Sequence, residues 1–426
     1  MLQQFRARIG NVAFVAIQAA LGLLGFIVLC VIMKASFIPG LILALRSLLY
    51  MLPLAGAGVV VIWLLRTGHL GEKVGTPILG LLFALCVGVV LILWAERNPF
   101  KAYAALIDGS LTSWQSISEM LVYATPLIFT GLSVALAFRC GLFNIGAEGQ
   151  FIVGQMGAAW AGYAFRGLPA IIHLPLTLCV GIMAGMLWGS VPGFLKARRG
   201  VHEVIITIMM NYIALYLTHY LVVGPLMAPP RYLPVTCAIA ETAKLPRLLT
   251  WISPNLRVNA GLILALLTAV FIFWLLWKTT TGFEIRAVGY NQNASKYGGI
   301  SVSKNIVLAM VLAGGLSGMA GAVHVMGIQY KFVDIFSFTG YGFDGIAVAL
   351  MGNNHPAGVL LGSVLFGALS TGASRIQLTA DVPKQIIVIL QSIIIFFVAA
   401  AQLVKLIAQA KKKPETVRAG KEAVKA

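Results

Sequence analysis

The chain has 426 residues, of which 59% are hydrophobic and 10% are charged, and its formal net charge is +18. Soluble domains carry about a quarter charged residues, so this composition excludes an ordinary soluble protein. No loop interleaves a basic stripe with aromatic residues, so we predict no nucleic-acid partner. Lys and Arg instead collect on the inner loops of membrane proteins, which makes membrane lipid the expected partner of this charge.

Apolar runs long enough to cross a bilayer follow one another along the chain. A span needs about 20 apolar residues, because in lipid every backbone group must pair within its own segment. The predicted fold class is therefore all-α, a polytopic integral membrane protein. Two spans fall in residues 1–75, near 11–33 and 48–65. The remaining predicted helices lie near 77–95, 117–138, 149–165, 169–194, 203–224, 259–277, 305–328, 341–352, 357–372 and 384–406.

The distribution of basic residues predicts the orientation. With the amino terminus inside, most Lys and Arg fall on inner loops, so both termini are predicted to be cytoplasmic. Residues 407–426 form a basic inner tail, and the proline-rich stretch Val223 to Asn259 forms a long outer loop. The predicted inner loops are Arg66 to Lys73, the turn at Arg139, Lys196 to Arg199, and Lys278 to Lys304.

Glycines at every fourth position predict close helix packing. They are Gly181, Gly185, Gly189 and Gly193 on one helix and Gly314 and Gly318 on another.

A polar cluster interrupts the apolar pattern between residues 141 and 150. It holds Asn144, Glu148 and Gln150 beside Phe143, with three glycines among them. Polar groups at membrane depth are functional candidates by default, and broken helices line solute sites in transporters. A short interfacial loop, in which Glu148 begins the next helix and favours its dipole, explains the same residues.

Two further polar positions carry alternatives of the same kind. Asn211 lies deep in a predicted helix and either faces a solute or makes an interhelical hydrogen bond. Asp344 heads the segment 341–352, which is too short to cross alone and is expected to be re-entrant or broken, and Asp344 either faces the path or caps this helix. Glu203 is expected to be a cap and His324 a packing residue.

The sequence of the inner loop from Lys278 to Lys304 predicts folded structure. Asn291 is placed as an N-cap, Gln292 to Tyr297 as a helical turn, and Gly298 as its stop. Such a helix suits docking to a cytoplasmic partner, and an uninvolved interfacial helix is the alternative.

Catalytic motifs are missing from the sequence. It contains no phosphate-binding GxxxxGK[ST] loop, no protease-like triad, and no metal-ligand spacing among its five cysteines, so we expect neither an enzyme nor a metal site. If ATP drives transport, a separate chain must hydrolyse it. An ion-coupled secondary transporter is the alternative, with Glu148 and Asp344 as its candidate ion-coupling groups.

Four segments resemble the permease subunits of ATP-binding cassette importers for simple sugars and nucleosides, a family related to ribose and branched-chain amino-acid permeases. They are GLSVALAFRCGLFNIGAEGQ (131–150), PGFLKARRGVHEVIITIMMNYIA (192–214), TGFEIRAVGYNQNASKYGGI (281–300) and GYGFDGIAVALMG (340–352). They are most similar to the nucleoside-type subgroup, and the likeness runs from about residue 77 to 406.

The resemblance implies a core of about ten helices over residues 76–406, to which the two helices of residues 1–75 are an addition. It implies a bacterial inner-membrane complex with a cytoplasmic ATPase, a second permease and an extracytoplasmic solute-binding protein. This chain would bind no cofactor, since ATP and Mg would sit on the ATPase. The stretch from Phe143 to Gln150 would lie near the solute path. With the polar candidates Asn211 and Asp344 added, the predicted path residues are Phe143, Asn144, Glu148, Gln150, Asn211 and Asp344. Coupling to the ATPase would involve Glu284, Arg286, Ala287, Gly289, Asn291, Ala294, Tyr297 and Gly299.

Overall fold

The computed structural model describes residues 50–51, 72–383, 385–394 and 396. Within them the chain is built of helices. Two isolated antiparallel β-bridges also occur in these residues, between Val235 and Val333 and between Arg247 and Asn259. The helices are α1 (Glu72–Trp94), α2 (Pro99–Ile107), α3 (Trp114–Arg139), α4 (Ala147–Ala164), α5 (Ala170–Arg199), α6 (Glu203–Val223), α7 (Gly261–Lys278), α8 (Thr280–Tyr290), α9 (Gln292–Tyr297), α10 (Val302–His324), α11 (Tyr341–Met351), α12 (Pro356–Ala380) and α13 (Gln385–Ile394).

The all-α membrane fold predicted from the sequence is confirmed. Six helices are long and apolar enough to cross a bilayer, namely α3, α5, α6, α7, α12 and α10 with its extension to Gln329. Every helix predicted between 77 and 406 has a counterpart in the described residues. The predicted spans near 11–33 and 48–65 and the basic tail lie outside them, apart from the helical residues Tyr50 and Met51.

The chain divides into two compact units. One contains residues 1–107 and 372–426, and the other contains residues 108–371. In the first unit, the Tyr103 hydroxyl donates to the Leu85 carbonyl at 2.6 Å, and Arg97 pairs with Asp381. All of the predicted path and coupling residues lie in the second unit.

Small residues set the packing of the second unit. Helices α5 and α10 meet along their glycines, and a Cβ added at Gly318 would lie 2.6 Å from the Gly181 carbonyl oxygen. Helix α4 joins them at the same level, where a Cβ on Gly154 would lie 2.5 Å from the Gly318 Cα. The predicted close approach is therefore present, since any larger residue would push these backbones apart.

The predicted inner loops of this unit gather at one end, which we call the Arg139 side. The Arg139 guanidinium donates to the carbonyls of Asn354 (2.9 Å) and Asn353 (3.2 Å) and lies 5.2 Å from the Trp277 ring centroid. At the opposite end, the Arg257 side, the long outer loop packs over the helices and Arg257 pairs with Glu119. Hydrogen bonding to Glu119 raises the pKa of Arg257, so this guanidinium stays charged.

Candidate functional site

Two helices of the second unit begin within the bundle. The non-helical residues 140–146 lead into α4, and the largely non-helical residues 330–340 lead into α11. The Tyr341 carbonyl at the start of α11 accepts from the Thr130 hydroxyl at 2.9 Å. Thr130 lies about nine residues, or about 13 Å along the α3 axis, from Arg139. Helix α11 thus starts deep in the bundle and runs to the Arg139 side, in agreement with the predicted broken helix.

Glu148 joins the two helix starts. Its buried carboxylate accepts from the Thr339 hydroxyl at 2.7 Å and from the backbone N–H groups of Gly340 (2.9 Å) and Gly342 (2.6 Å). Among the described residues no Lys or Arg pairs with it. The negative charge is instead held by N–H groups at the α11 amino terminus, with the helix dipole adding to the attraction.

A buried amide network fixes the approach to α4. The side chains of Asn144 and Gln150 exchange hydrogen bonds at 3.0 and 3.3 Å. Asn211 on α6 accepts from the Gly149 N–H at 2.8 Å and donates to the Ile145 carbonyl at 3.0 Å. The interhelical bond weighed for Asn211 is therefore present. Satisfied buried networks of this kind fix one arrangement of the chain.

Phe143 and Asp344 stand apart from this network. Phe143 is partly exposed and stacks on Phe138 with centroids 5.2 Å apart. Asp344 is partly exposed, and its carboxylate has no hydrogen-bond partner in the described part of the chain. The capping role considered for Asp344 is wrong, because the carboxylate that receives the first N–H groups of α11 belongs to Glu148.

The segment that feeds α11 leaves its backbone unpaired. From Ile335 to Thr339, no residue makes a backbone hydrogen bond to another backbone group that the structure describes. Phe336, Ser337 and Thr339 in this stretch are exposed. Unpaired backbone cannot face hydrocarbon, since each bare N–H or C=O in lipid costs several kcal/mol, and it is tolerated at membrane depth where it lines water. This stretch therefore marks a hydrated face.

The predicted coupling loop folds as two short helices on the Arg139 side. Residues Thr280–Tyr290 form α8, a helix that the sequence did not predict, and Gln292–Tyr297 form α9 as predicted. The Asn291 side chain accepts from the Ala294 N–H at 3.0 Å, so the predicted N-cap is confirmed. The helix stops at Gly298, and Gly299 takes the left-handed conformation with φ of +79°.

Some residues of this loop contact the rest of the bundle, and others are exposed. Glu284 accepts from the Asn305 amide at 2.8 Å, and the Arg286 guanidinium lies 5.9 Å from the Trp277 centroid. Gly289 packs so closely on Arg139 that a Cβ there would overlap the Arg139 carbonyl oxygen. Ala287 is partly exposed beside them. The exposed part comprises Tyr290, Asn291, Ala294, Tyr297 and Gly299, with Tyr297 96% exposed.

Three residues contribute contacts that the sequence did not predict. Arg139, predicted only as part of a turn, ties α3 to the connection after α11. Thr339 was not singled out, although it binds Glu148. His324 was expected to pack, and it is buried, but it also bonds to the Gln155 amide at 2.8 Å. The positive φ values of Asn353 and Asn354 fit the Asn-Asn-His-Pro turn, which is the one sequence signal for the Arg139 partner.

The fold and the site together define the class of protein. A polytopic helical bundle, with two helices starting at depth and a folded loop projecting from one side, is the architecture of a membrane transport protein.

Comparison with known proteins gives the family. The model of the branched-chain amino acid transport system / permease component family matches residues 116–399, and the chain belongs to this family. It is therefore the permease subunit of an ABC importer, a transport subunit rather than an enzyme.

Curated relatives extend the likeness over most of the chain. The guanosine ABC transporter permease protein NupP of Bacillus subtilis is 44% identical over 79% of this chain and 96% of its own length. The nucleoside ABC transporter permease protein NupB of Lactococcus lactis is 36% identical over 78% and 93%. The glucose ABC transporter permease protein TsgB13 of Haloferax volcanii is 33% identical over 78% and 88%. No solved structure matches the chain.

Proposed function

We propose that this permease carries a nucleoside through the bacterial cytoplasmic membrane, with both termini inside. The two relatives of higher identity are named for guanosine and for nucleosides, and the glucose relative is less similar. The observation that carries the transport path is the unpaired backbone from Ile335 to Thr339, which requires water at membrane depth. A polar solute crosses where such water lies.

The six path residues act in two groups in this proposal. Phe143 and Asp344 are partly exposed and contact the solute, with the free Asp344 carboxylate accepting an N–H or O–H from it. The four buried residues position the helix starts that frame the path. These positioning residues are Asn144, Glu148, Gln150 and Asn211.

Energy for transport enters through α8 and α9 from a separate cytoplasmic ATPase that holds ATP and Mg, while this chain binds no cofactor. The exposed residues around Tyr297 dock on the ATPase. Movement of the loop reaches α3 through the contact of Gly289 with Arg139, and reaches α10 through the bond of Glu284 with Asn305. Arg139 passes it to the residues after α11, so a shift in the ATPase biases the two states of the path.

The remaining partners follow from the same geometry and family. A second permease completes the translocation path, and lipid surrounds the apolar outer faces. An extracytoplasmic binding protein delivers the solute to the Arg257 side, where the long outer loop exposes Tyr232 and Trp251. Nucleic acid has no part in this assembly.

Reconstitution of the full complex in proteoliposomes tests this function. We expect ATP-dependent uptake of labelled guanosine that persists when a protonophore collapses the ion gradients. Tyr297→Ala should lower this uptake at least about tenfold, since aromatic anchors carry much of an interface's binding energy. Leu361→Ala, at a highly exposed position on α12 outside both docking surfaces, is the control and should leave uptake unchanged. Uptake that needs an ion gradient and no ATP would contradict the proposal.

A further inference from the structure

Three aromatic rings beside the unpaired backbone form a continuous contact series. The Tyr212 and Phe338 centroids are 5.2 Å apart with an interplanar angle of 69°, and those of Phe338 and Phe343 are 5.6 Å apart at 82°. We call these three residues the aromatic ladder. It brings together α6, the non-helical segment before α11, and the first turn of α11.

The aromatic ladder lies near the middle of α6, and two of its rings are exposed. Tyr212 is near the middle of α6 (Glu203–Val223), and its side chain is 49% exposed. Phe343 is 37% exposed. These rings are thus accessible at a depth where no headgroup reaches.

The face of α6 that carries Tyr212 is poorly matched to contact with lipid. Tyr212 starts a stripe that continues with Tyr216 and Tyr220 at four-residue spacing, and all three are exposed. No hydrogen-bond partner of their hydroxyls occurs among the residues that the structure describes. Tyrosines prefer the membrane interface because the hydroxyl needs water. Tyr220 lies in the last turn of α6, where this preference is met, but the phenols of Tyr212 and Tyr216 lie further from the helix end and indicate a hydrated surface. The bare backbone from Ile335 to Thr339 on the same face gives the same indication.

We propose that the aromatic ladder is a binding site for the planar base of the transported nucleoside, which stacks on the exposed rings as it passes. Every nucleobase has a π-face, so aromatic platforms bind bases with little dependence on sequence or exocyclic groups. A sugar without a base lacks this planar π-face. The proposal rests on nucleoside transport by this chain and adds the part of the molecule that recognises the base.

Substitution in the reconstituted complex tests the site. Tyr212→Leu and Phe338→Leu should each raise the KM for guanosine uptake roughly fivefold to a hundredfold, the range expected for loss of one stacked ring. Tyr212→Phe retains the ring and should reverse most of the KM increase seen in Tyr212→Leu. Phe271→Leu, on the exposed face of α7 against Trp274, is the matched control and should leave the KM unchanged.

A second measurement guards against variants that fold poorly. Phe338→Trp enlarges the platform and should change the ratio of purine to pyrimidine nucleoside uptake at least about twofold, which a purely structural role would not do. If the Leu variants assemble and transport guanosine with an unchanged KM, the ladder does not bind the base. Efficient cross-linking of Tyr216→Cys between two permeases, with an unchanged KM, would show that a second permease covers this face instead. Absence of guanosine uptake by the wild-type complex would refute the nucleoside function itself.

Discussion

At the scale of single residues, the least expected feature is a fully buried carboxylate that pairs with no Lys or Arg in the described part of the chain. Glu148 is satisfied by one hydroxyl and two backbone N–H groups, all on the approach to α11. A buried charge is costly unless its hydrogen bonds are complete, and here they connect two helix starts that lie far apart in sequence. The same bonds that make the charge tolerable therefore hold the broken helix in place.

Replacing this carboxylate should destabilise the protein. Glu148→Gln keeps the shape but substitutes an NH₂ group that cannot accept, so at least one N–H is left bare at a cost of about 1–3 kcal/mol. We expect a lower thermal unfolding midpoint of the purified complex and reduced uptake. Glu119→Gln breaks only the partly exposed pair with Arg257, worth about 0–1 kcal/mol, and serves as the control. Equal midpoints for the two variants would contradict this role of Glu148.

At the scale of elements, the close contact of α8 with the end of α3 links the projecting loop to the bundle. Gly289 lies against the Arg139 carbonyl with no room for a side chain, and Arg139 in turn binds the turn after α11. Three elements thus share one contact point. Because backbone packs directly on backbone, a displacement of α8 is not absorbed by side-chain movement.

Adding one methyl group at this point should uncouple the loop. Gly289→Ala forces α8 away from α3 at a cost of about 1–3 kcal/mol, and we expect ATP hydrolysis by the complex to continue while uptake per ATP falls. Gly298→Ala is the matched control, since its Cβ would meet nothing nearer than 3.5 Å. The measurement is labelled solute taken up per phosphate released. A normal ratio in Gly289→Ala would remove this contact from the coupling route.

At the scale of the whole molecule, the described inner loops collect on the Arg139 side, as the distribution of basic residues predicts. The turn at Arg139, the loop with α8 and α9, and the end of α5 meet there, where the Ser303 hydroxyl donates to the Ala197 carbonyl at 3.5 Å. Which membrane surface this side faces stays a prediction of the positive-inside rule.

Cysteine labelling measures that orientation. In a variant whose native cysteines are replaced, a membrane-impermeant maleimide should label Tyr232→Cys on intact cells. It should label Tyr297→Cys only in inside-out vesicles, because both positions are highly exposed but lie on opposite sides. The opposite pattern would invert the topology and place the docking loop outside the cell.

The fold class, the apolar helices predicted between 77 and 406 as far as the structure describes them, the N-cap at Asn291 and the glycine contacts were all predictable from the sequence. Each depends on local rules, namely apolar run length, capping chemistry and four-residue spacing, which neighbouring residues alone satisfy. The two spans of residues 1–75 and the roles of the path and coupling residues stay predictions. Helices α2 and α8 were not predicted. The apolar segment of α2 is too short for a membrane span, and two glycines and two charged residues interrupt the apolar pattern of α8.

Only the tertiary structure decided what the polar residues do. The sequence offered a path or a cap for Asp344 and for Glu148, and distant contacts resolved part of this choice by placing Glu148 on the N–H groups of α11. The aromatic ladder joins Tyr212 to Phe338, which is more than a hundred residues away in sequence. No local sequence pattern predicts this contact. Hydrogen bonds and ring contacts depend on which segments meet in space. That meeting is set by helix packing, whereas composition and periodicity set only which segments are helices.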